Sequence, residues 1–321
     1  MPGHAKPGKA PGSRLKPVVA DPLEVVGFVS KGDRKLLDHK AQNDYYDSIV
    51  GRYLEFCARH HNDLDAALAS LPRSASSDAT SNPPASLPSP AGKATPSHNR
   101  SASTELSTIL LSLRKLREAV VATAATTPIS FSQRVYILSI KISIQARHPP
   151  SYYPSLRRIL EELHSPSHPL PDPDLKDLVS YLILDYACRQ EDMAAAYQLR
   201  ARARREYGFQ SSDIDRVLNA LAHDNWVVFW RVRKEVNSSM CAVMNWAEDR
   251  VRRLALKAVS KAYMSADSKW ITEGCTGDKN WTWEKLADAE NLGWEKDGDK
   301  IIIKKPKKKP QASLAPIKEN P

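Results

Sequence analysis

Apolar side chains recur every three or four residues along most of the chain, a spacing that places them on one face of an α-helix. The stripe is clearest in the helix predicted from Thr104, where Leu106, Ile109, Leu113 and Leu116 share a face. The same period predicts further helices over residues 40–60, 153–164, 174–189, 193–205, 212–222, 225–236, 248–264 and 282–291. The pattern therefore predicts a mainly α-helical protein.

One segment, residues 131–147, fits two interpretations. Its Ile140, Ile142 and Ile144 alternate with polar residues at the strand period. A fully buried helix of about 16 residues nevertheless suits the helical neighbourhood better, and we expect a helix there. The paired helices that follow, up to residue 236, predict antiparallel hairpins stacked into an irregular helical-repeat solenoid, since no fixed repeat length is present.

The last 75 or so residues change character. After the helix over residues 248–264 comes a short apolar segment at 269–272, then the helix over 282–291. Asp297-Gly298 lies between two apolar runs, which predicts a β-hairpin. A helix, a short strand, a helix and a two-stranded wing follow one another as in a small winged-helix domain. All seven tryptophans lie between residues 226 and 294, so we expect a dense core there.

Proline and serine interrupt the helical pattern in two places. Five prolines fall within the first 22 residues, and residues 72–103 hold six more with few large apolar side chains. The expected fold is mainly α, an irregular helical-repeat solenoid followed by a C-terminal winged helix, with a disordered N-terminus, linker and tail. The expected segments are a disordered basic N-terminus at 1–35, a helical segment at 36–71, a disordered linker at 72–103, a helical-repeat domain at 104–245, a winged helix at 246–305 and a basic tail at 306–321.

The net charge of +10, from 47 basic and 37 acidic residues, suggests a nucleic-acid ligand until it is located. Residues 1–20 carry +4 and residues 300–321 carry +6, so residues 21–299 are neutral. The excess charge therefore belongs to the two ends of the sequence and not to the predicted folded body.

Several classes of protein are disfavoured by what the sequence lacks. No apolar run approaches the roughly 18–20 residues of a membrane span, and no apolar leader opens the chain. The four cysteines form no CxxC pair and suggest reduced thiols, and no glycine-rich phosphate motif, GxSxG or HExxH motif occurs. We therefore expect a non-enzyme with no cofactor, metal, membrane or small-molecule substrate.

Two neighbouring segments carry a family resemblance. IDRVLNAL at 214–221 followed by DNWVVFWR at 224–231 resembles the signature helix pair of the PCI-type small subunits, and VRRLAL at 251–256 with Ala262-Tyr263 resembles the helix that opens the family's winged helix. The superfamily includes GANP mRNA-export proteins, a small regulatory subunit of the proteasome lid, the smallest signalosome subunit and the k subunit of translation initiation factor 3. The resemblance covers roughly residues 104–303.

The resemblance implies a non-catalytic scaffold or adaptor whose winged helix pairs edge to edge with other subunits of a large intracellular complex. The β-branched run Ile301, Ile302 and Ile303 would be the edge strand that receives the neighbour, with Trp294 beside it. The alternative is that both faces of this strand pack internally.

A second hypothesis is an RNA- or DNA-binding module. Arg250, Arg253, Lys257 and Lys261 recur at +3, +4 and +4 along one helix, so they share a stripe that could contact phosphates weakly. The alternative is an ordinary solvated helix face.

The lysine run at the end of the predicted wing bears on where the protein is located in the cell. Lys304, Lys305, Lys307, Lys308 and Lys309 resemble a short nuclear-import signal, and the alternative is a solubilising tail. We expect the protein in the nucleus, the cytoplasm or both.

Overall fold

Helices make up most of the chain in a computed structural model that describes residues 21–71 and 97–304, the side chains of 97–100 excepted. The prediction of a mainly α-helical protein is confirmed. The described residues divide into two units, one formed by 21–67 and 97–135 and the other by 68–71 and 136–304. Within the described residues no helix is both long and apolar enough to cross a bilayer.

The first unit is built around two long helices that pack against each other. Its elements are α1 (Pro22–Val25), a 3-10 turn (Val29–Lys31), α2 (His39–Arg59), most of α3 (Leu64–Leu68), α4 (Ser97–Ala122) and the first half of α5 (Ile129–Gln145). The Asp38 side chain accepts a hydrogen bond from the Ala41 backbone N–H at 3.1 Å, which fixes the start of α2. The apolar stripes of α2 and α4 bury Tyr45, Ile49, Phe56, Leu106, Ile109, Leu113 and Leu116.

Two stretches expected to be disordered have defined structure. Residues 21–35 hold α1 and the 3-10 turn, because Leu23 is only 3% exposed and its carbonyl accepts hydrogen bonds from Tyr45 Oη at 2.9 Å and Lys115 Nζ at 3.1 Å. Helix α4 begins at Ser97, seven residues before the predicted start, and buries Ala102. The remainder of the two predicted disordered stretches, 1–20 and 72–96, lies outside the described residues.

The predicted boundary at residue 104 also differs from the structure. It falls inside α4, and α4 packs against α2 in the first unit. The segment at 36–71 is therefore completed by the helix that follows the linker, since neither α2 nor α4 could bury its apolar stripe alone.

The second unit begins with the second half of α5, so the ambiguous segment at 131–147 is helical as expected. The helices that follow are α6 (Pro149–Arg158), α7 (Asp172–Leu184), α8 (Met193–Tyr207), α9 (Ser212–Ala222), α10 (Trp226–Glu235) and α11 (Ser238–Met244). Helix α6 continues into a π-helical turn (Ile159–Leu163), and α7 into another (Asp185–Arg189). Chain neighbours α7 and α8, and α9 and α10, pack against each other.

A fully buried carboxylate lies in the second of these π-helical turns. Asp185 is 0% exposed and accepts hydrogen bonds from Tyr152 Oη at 2.7 Å, from Arg189 Nε at 2.6 Å and Nη2 at 2.7 Å, and from Gln190 Nε2 at 2.8 Å. These bonds join α6 to the end of α7 and satisfy a charge that would be costly to bury alone.

The end of the second unit combines three helices with a small sheet. Its elements are α12 (Glu248–Ala262), β1 (Ser265–Asp267), α13 (Ser268–Thr276), α14 (Trp283–Glu290), β2 (Glu295–Asp297) and β3 (Lys300–Ile302). The sheet is antiparallel with the order β1-β3-β2. Its core contains Ala255, Leu256, Val259, Ile271, Cys275, Trp283, Leu286 and Ile301.

The hairpin predicted at Asp297-Gly298 is confirmed, and the position of the short strand is not. Gly298 has a φ of 59° in the turn between β2 and β3, a conformation that suits glycine. The segment at 269–272 lies in α13, and the strand comes before it as β1. The Asp267 side chain accepts a hydrogen bond from the Trp270 backbone N–H at 2.7 Å, which begins a helix where apolar content suggested a strand.

Candidate interaction surface

The isoleucine run that was expected at the sheet edge lies in its centre. Strand β3 pairs with β1 on one side and β2 on the other, so its backbone has no open edge for a neighbour. Ile301 is 0% exposed in the core, while Ile302 and Ile303 are half-buried. The prediction of an edge strand here is wrong, because β3 lies between β1 and β2 in the sheet.

Trp294, the fourth residue of the predicted interface, is half-buried as well. Its ring stacks on that of Trp283 with centroids 6.3 Å apart and an interplanar angle of 15°. The stacking assigns Trp294 to the packing of α14 against the start of β2.

The open edges of the sheet are β1 and β2, and they differ in chemistry. All three residues of β2 are exposed and charged, a composition that discourages strand pairing. On β1, Met264 O accepts from Ile303 N and Ser268 N donates to Asp299 O, each at 2.8 Å. Because bonding alternates along an antiparallel pair, the N–H and C=O groups of Ser265 and the N–H of Asp267 point outward, while the carbonyl of Asp267, the N-cap of α13, belongs to the first turn of that helix.

The predicted cationic stripe on α12 is only partly free. Arg250 turns inward, with Nη2 donating to the Ala187 carbonyl at 3.1 Å and Nη1 lying 3.6 Å from Glu191 Oε2. Arg253, Lys257 and Lys261 are exposed, and Arg253 Nε donates to the Asp249 carbonyl at 3.1 Å. The stripe therefore offers three cations to solvent instead of four.

Lys304 extends that stripe. Its Nζ donates to the Lys261 carbonyl at 3.3 Å and its backbone N–H to the Met264 carbonyl at 3.1 Å, so it lies at the end of α12. The other lysines of the predicted import signal, Lys305, Lys307, Lys308 and Lys309, lie outside the described residues.

Sequence reasoning missed Arg252, which lies on the buried face of α12 with Val251, Ala255, Leu256 and Val259. It is 7% exposed, with Nε 2.6 Å from Glu290 Oε1 and Nη2 2.7 Å from Asp249 Oδ1, and its guanidinium carbon lies 4.8 Å from the Trp281 ring centroid. Arg252 thus ties α12 to α14 and is a structural residue. Its position next to Val251, on the side of the helix that faces the core, was the feature of the sequence that could have predicted this burial.

An exposed apolar surface next to β1 was also missed. Tyr263 is 46% exposed, Met264 51% and Trp270 44%, and the Tyr263 and Trp270 rings meet edge to face with centroids 5.4 Å apart. A group of adjacent large apolar side chains that are exposed to solvent is typical of interaction sites. We expected the tryptophans to lie in a dense core, and for that reason an exposed surface at Trp270 was not predicted.

Trp270 also lines a groove of about 420 Å³ between α10 and α13. The Trp230 indole packs directly on Gly277, where an added Cβ would lie 2.4 Å from the ring; Gly277 also has a φ of 70°. The Trp230 Nε1 atom is buried and has no hydrogen-bond partner among the described residues. The groove wall therefore depends on a glycine at this position.

Burial shifts the pKa of two cysteine thiols and one histidine in the second unit. Burial raises the pKa of the Cys188 and Cys275 thiols to about 12, so at neutral pH both are protonated and weak nucleophiles. Burial also lowers the pKa of His164, whose Nδ1 accepts the Leu170 backbone N–H at 3.1 Å. Across residues 21–71 and 97–304, no group of three or more His, Cys, Asp or Glu side chains is placed to hold a metal ion.

Comparison with known proteins gives no assignment: no family model matches the chain, and no curated protein matches it.

Proposed function

We propose that the protein is a non-catalytic scaffold or adaptor subunit of a multisubunit intracellular complex, of the proteasome-lid, signalosome, initiation-factor-3 or mRNA-export type. Its second unit would be a PCI-like module, an irregular helical solenoid leading into a winged helix. The element order from α12 to β3 and the strand order β1-β3-β2 support this interpretation of the small sheet domain.

The observation that carries the proposal is the outer edge of β1 beside the exposed apolar surface. Ser265 and Asp267 direct backbone groups outward, and Tyr263, Met264 and Trp270 supply apolar area at the same place. A neighbouring subunit can add a strand to β1 through main-chain hydrogen bonds while its side chains cover the aromatic residues. The charged β2 edge lacks this combination.

The test is purification of the tagged full chain from its own cells, with mass spectrometry of the retained proteins. Ser265→Pro removes one outward N–H from β1, and an edge strand tolerates proline at such a position. The matched control is Lys296→Pro, which removes the outward N–H of β2. We expect stoichiometric subunits with the unsubstituted chain and Lys296→Pro, and their loss with Ser265→Pro. Loss of the same subunits with both variants, or no stoichiometric subunit with the unsubstituted chain, would contradict the proposal.

A second candidate, weak RNA or DNA binding, is favoured by one observation. Exposed Arg253, Lys257 and Lys261 run along α12 to Lys304, forming a continuous cationic row. Such a row would contact phosphates without reading sequence, so binding would weaken steeply with salt.

The charge-reversal pair Arg253→Glu with Lys257→Glu tests this candidate. Fluorescence anisotropy with a labelled single-stranded RNA and a DNA duplex should show reduced affinity and a shallower salt dependence. Arg204→Glu with Arg205→Glu is the matched control, since both arginines are exposed on α8. If both double reversals weaken nucleic-acid binding equally, the binding depends on the net charge of the protein and not on the cationic row of α12.

A further inference from the structure

The groove between α10 and α13 combines apolar depth with an open mouth. On α10, Val227, Trp230, Arg231 and Lys234 occupy positions i, i+3, i+4 and i+7, so they lie along one side of the helix. Val227 is 51% exposed, and Trp270 on the opposite wall is 44% exposed. Because Trp270 also contacts Tyr263, the apolar surface continues out of the groove towards the start of β1.

The charges at the mouth of the groove are unequal. The two carboxylates that line it have cationic neighbours, since Glu235 lies 2.6 Å from Arg216 Nη1 and Glu273 lies 3.9 Å from Lys269 Nζ. Arg231 and Lys234 are exposed, and within the described part of the chain neither forms an ion pair as close as that of Glu235 with Arg216, although Arg231 helps to lower the pKa of Glu235. The groove therefore presents apolar walls together with two cations that a ligand can pair.

We propose that this groove binds a short amphipathic helical segment of a partner protein, rich in bulky apolar and acidic residues. The apolar side chains would enter between Trp270 and Val227, and the acidic side chains would face Arg231 and Lys234. A helix suits the site because the groove lies between two helices, which offer side chains and no strand edge. The site shares Trp270 with the surface proposed beside β1, whereas Val227, Arg231 and Lys234 belong to the groove alone, so substitutions at these three residues distinguish the two proposals.

A protein segment fits this groove better than a nucleic acid. Phosphates entering it would approach Glu235 and Glu273 as well as the two cations, whereas an amphipathic peptide can direct its acidic side chains to one end. The groove volume of about 420 Å³ also suits a few apolar side chains that are buried together.

The experiment is selection of random peptides displayed on phage against the full chain, with counter-selection on the Trp270→Ala variant. Enriched peptides should carry leucine, isoleucine or aromatic residues at helical spacing and an excess of aspartate and glutamate. A synthetic consensus peptide should then bind the full chain and lose affinity about tenfold or more with Trp270→Ala or Val227→Asp. Reversal of Arg231 and Lys234 to glutamate should weaken binding and remove most of its salt dependence.

Matched substitutions elsewhere in the second unit separate the groove from general effects. Tyr197→Ala removes another exposed aromatic side chain, 41% exposed on α8, and Arg204→Glu with Arg205→Glu reverses two other exposed cations. Neither control should change the affinity by more than about twofold, as expected of residues outside the contact.

Three results would overturn the proposal. One is recovery of no peptide that distinguishes the full chain from Trp270→Ala. Another is a consensus without acidic excess, or one that binds equally after charge reversal. The third is an oligouridine RNA, or a second copy of the chain seen as a dimer by analytical ultracentrifugation, that depends on Trp270 and Val227 while the peptides do not.

Discussion

The buried carboxylate of Asp185 provides the sharpest test of how the second unit is held together. Its two oxygens accept four hydrogen bonds, from Tyr152, Gln190 and both sides of the Arg189 guanidinium fork. Burial, together with the nearby Asp185 charge, raises the pKa of Tyr152, so its hydroxyl stays a neutral donor. The Arg189 side chain is only 24% exposed, so water replaces little of what Asp185 supplies.

Asp185→Ala should lower the free energy of unfolding by about 3–5 kcal/mol, because it leaves the Arg189 cation and the Tyr152 hydroxyl without their partner. Tyr152→Phe removes one hydrogen bond to a charged group and should cost about 1.5–3 kcal/mol. Replacing both charges, as Asp185→Leu with Arg189→Met, should recover part of the loss, since no uncompensated charge then remains buried.

Urea unfolding followed by tryptophan fluorescence measures these values for the relevant unit, because all seven tryptophans lie between residues 226 and 294. Asp174→Ala is the matched control. Its carboxylate lies 3.0 Å from Lys141 Nζ, but the two side chains are 30% and 43% exposed, so the loss should stay below about 1 kcal/mol. If Asp185→Ala costs no more than Asp174→Ala, the reasoning about the buried charge is refuted.

Three further predictions follow from the same unit. Gly277→Ala should destabilise it by about 1–3 kcal/mol and shift the tryptophan emission, because a Cβ would lie 2.4 Å from the Trp230 ring; Gly274→Ala, with open space around it, should be near neutral or stabilising in the same urea titration. The pKa of His164 is lowered by burial, so the unfolded chain binds the proton more readily than the folded one, and the stability that His164 contributes should fall as pH drops below about 6.5. His164→Gln should remove this component from a plot of unfolding free energy against pH. The Cys275 thiol, whose pKa is raised to about 12 by burial, should react with a disulfide reagent near pH 8 more slowly than the half-buried cysteines, and adding urea should remove the difference.

Helix positions were predictable because the apolar stripes are strong and local. Helix α9 has the predicted bounds, and α10 and α14 differ from prediction by one residue at each end. Their caps are local as well, since Asn225 and Thr282 accept backbone N–H groups at the first turn. Short-range signals of this kind need no knowledge of the rest of the fold.

The errors arose where a distant partner decides the structure. Nothing within residues 21–35 reveals that Leu23 is covered by side chains about 20 and 90 positions away. Arg250 was expected in solvent, but the Ala187 carbonyl, on a different helix, draws it inward. Contacts of this kind between distant residues bury side chains that composition and periodicity alone would place in solvent.

The order of strands is the clearest case, and it changes where a partner can bind. The β-branched run at residues 301–303 was expected at a sheet edge, where its unpaired backbone could receive a neighbouring strand. Here β3 pairs with both β1 and β2, so the core needs Ile301 and the polar strands become the edges. One edge carries three exposed charges and the other lies beside exposed aromatic residues. In the proposed scaffold, a neighbouring subunit would therefore add a strand at β1, and the three exposed charges of β2 would resist a second addition on the other side of the sheet.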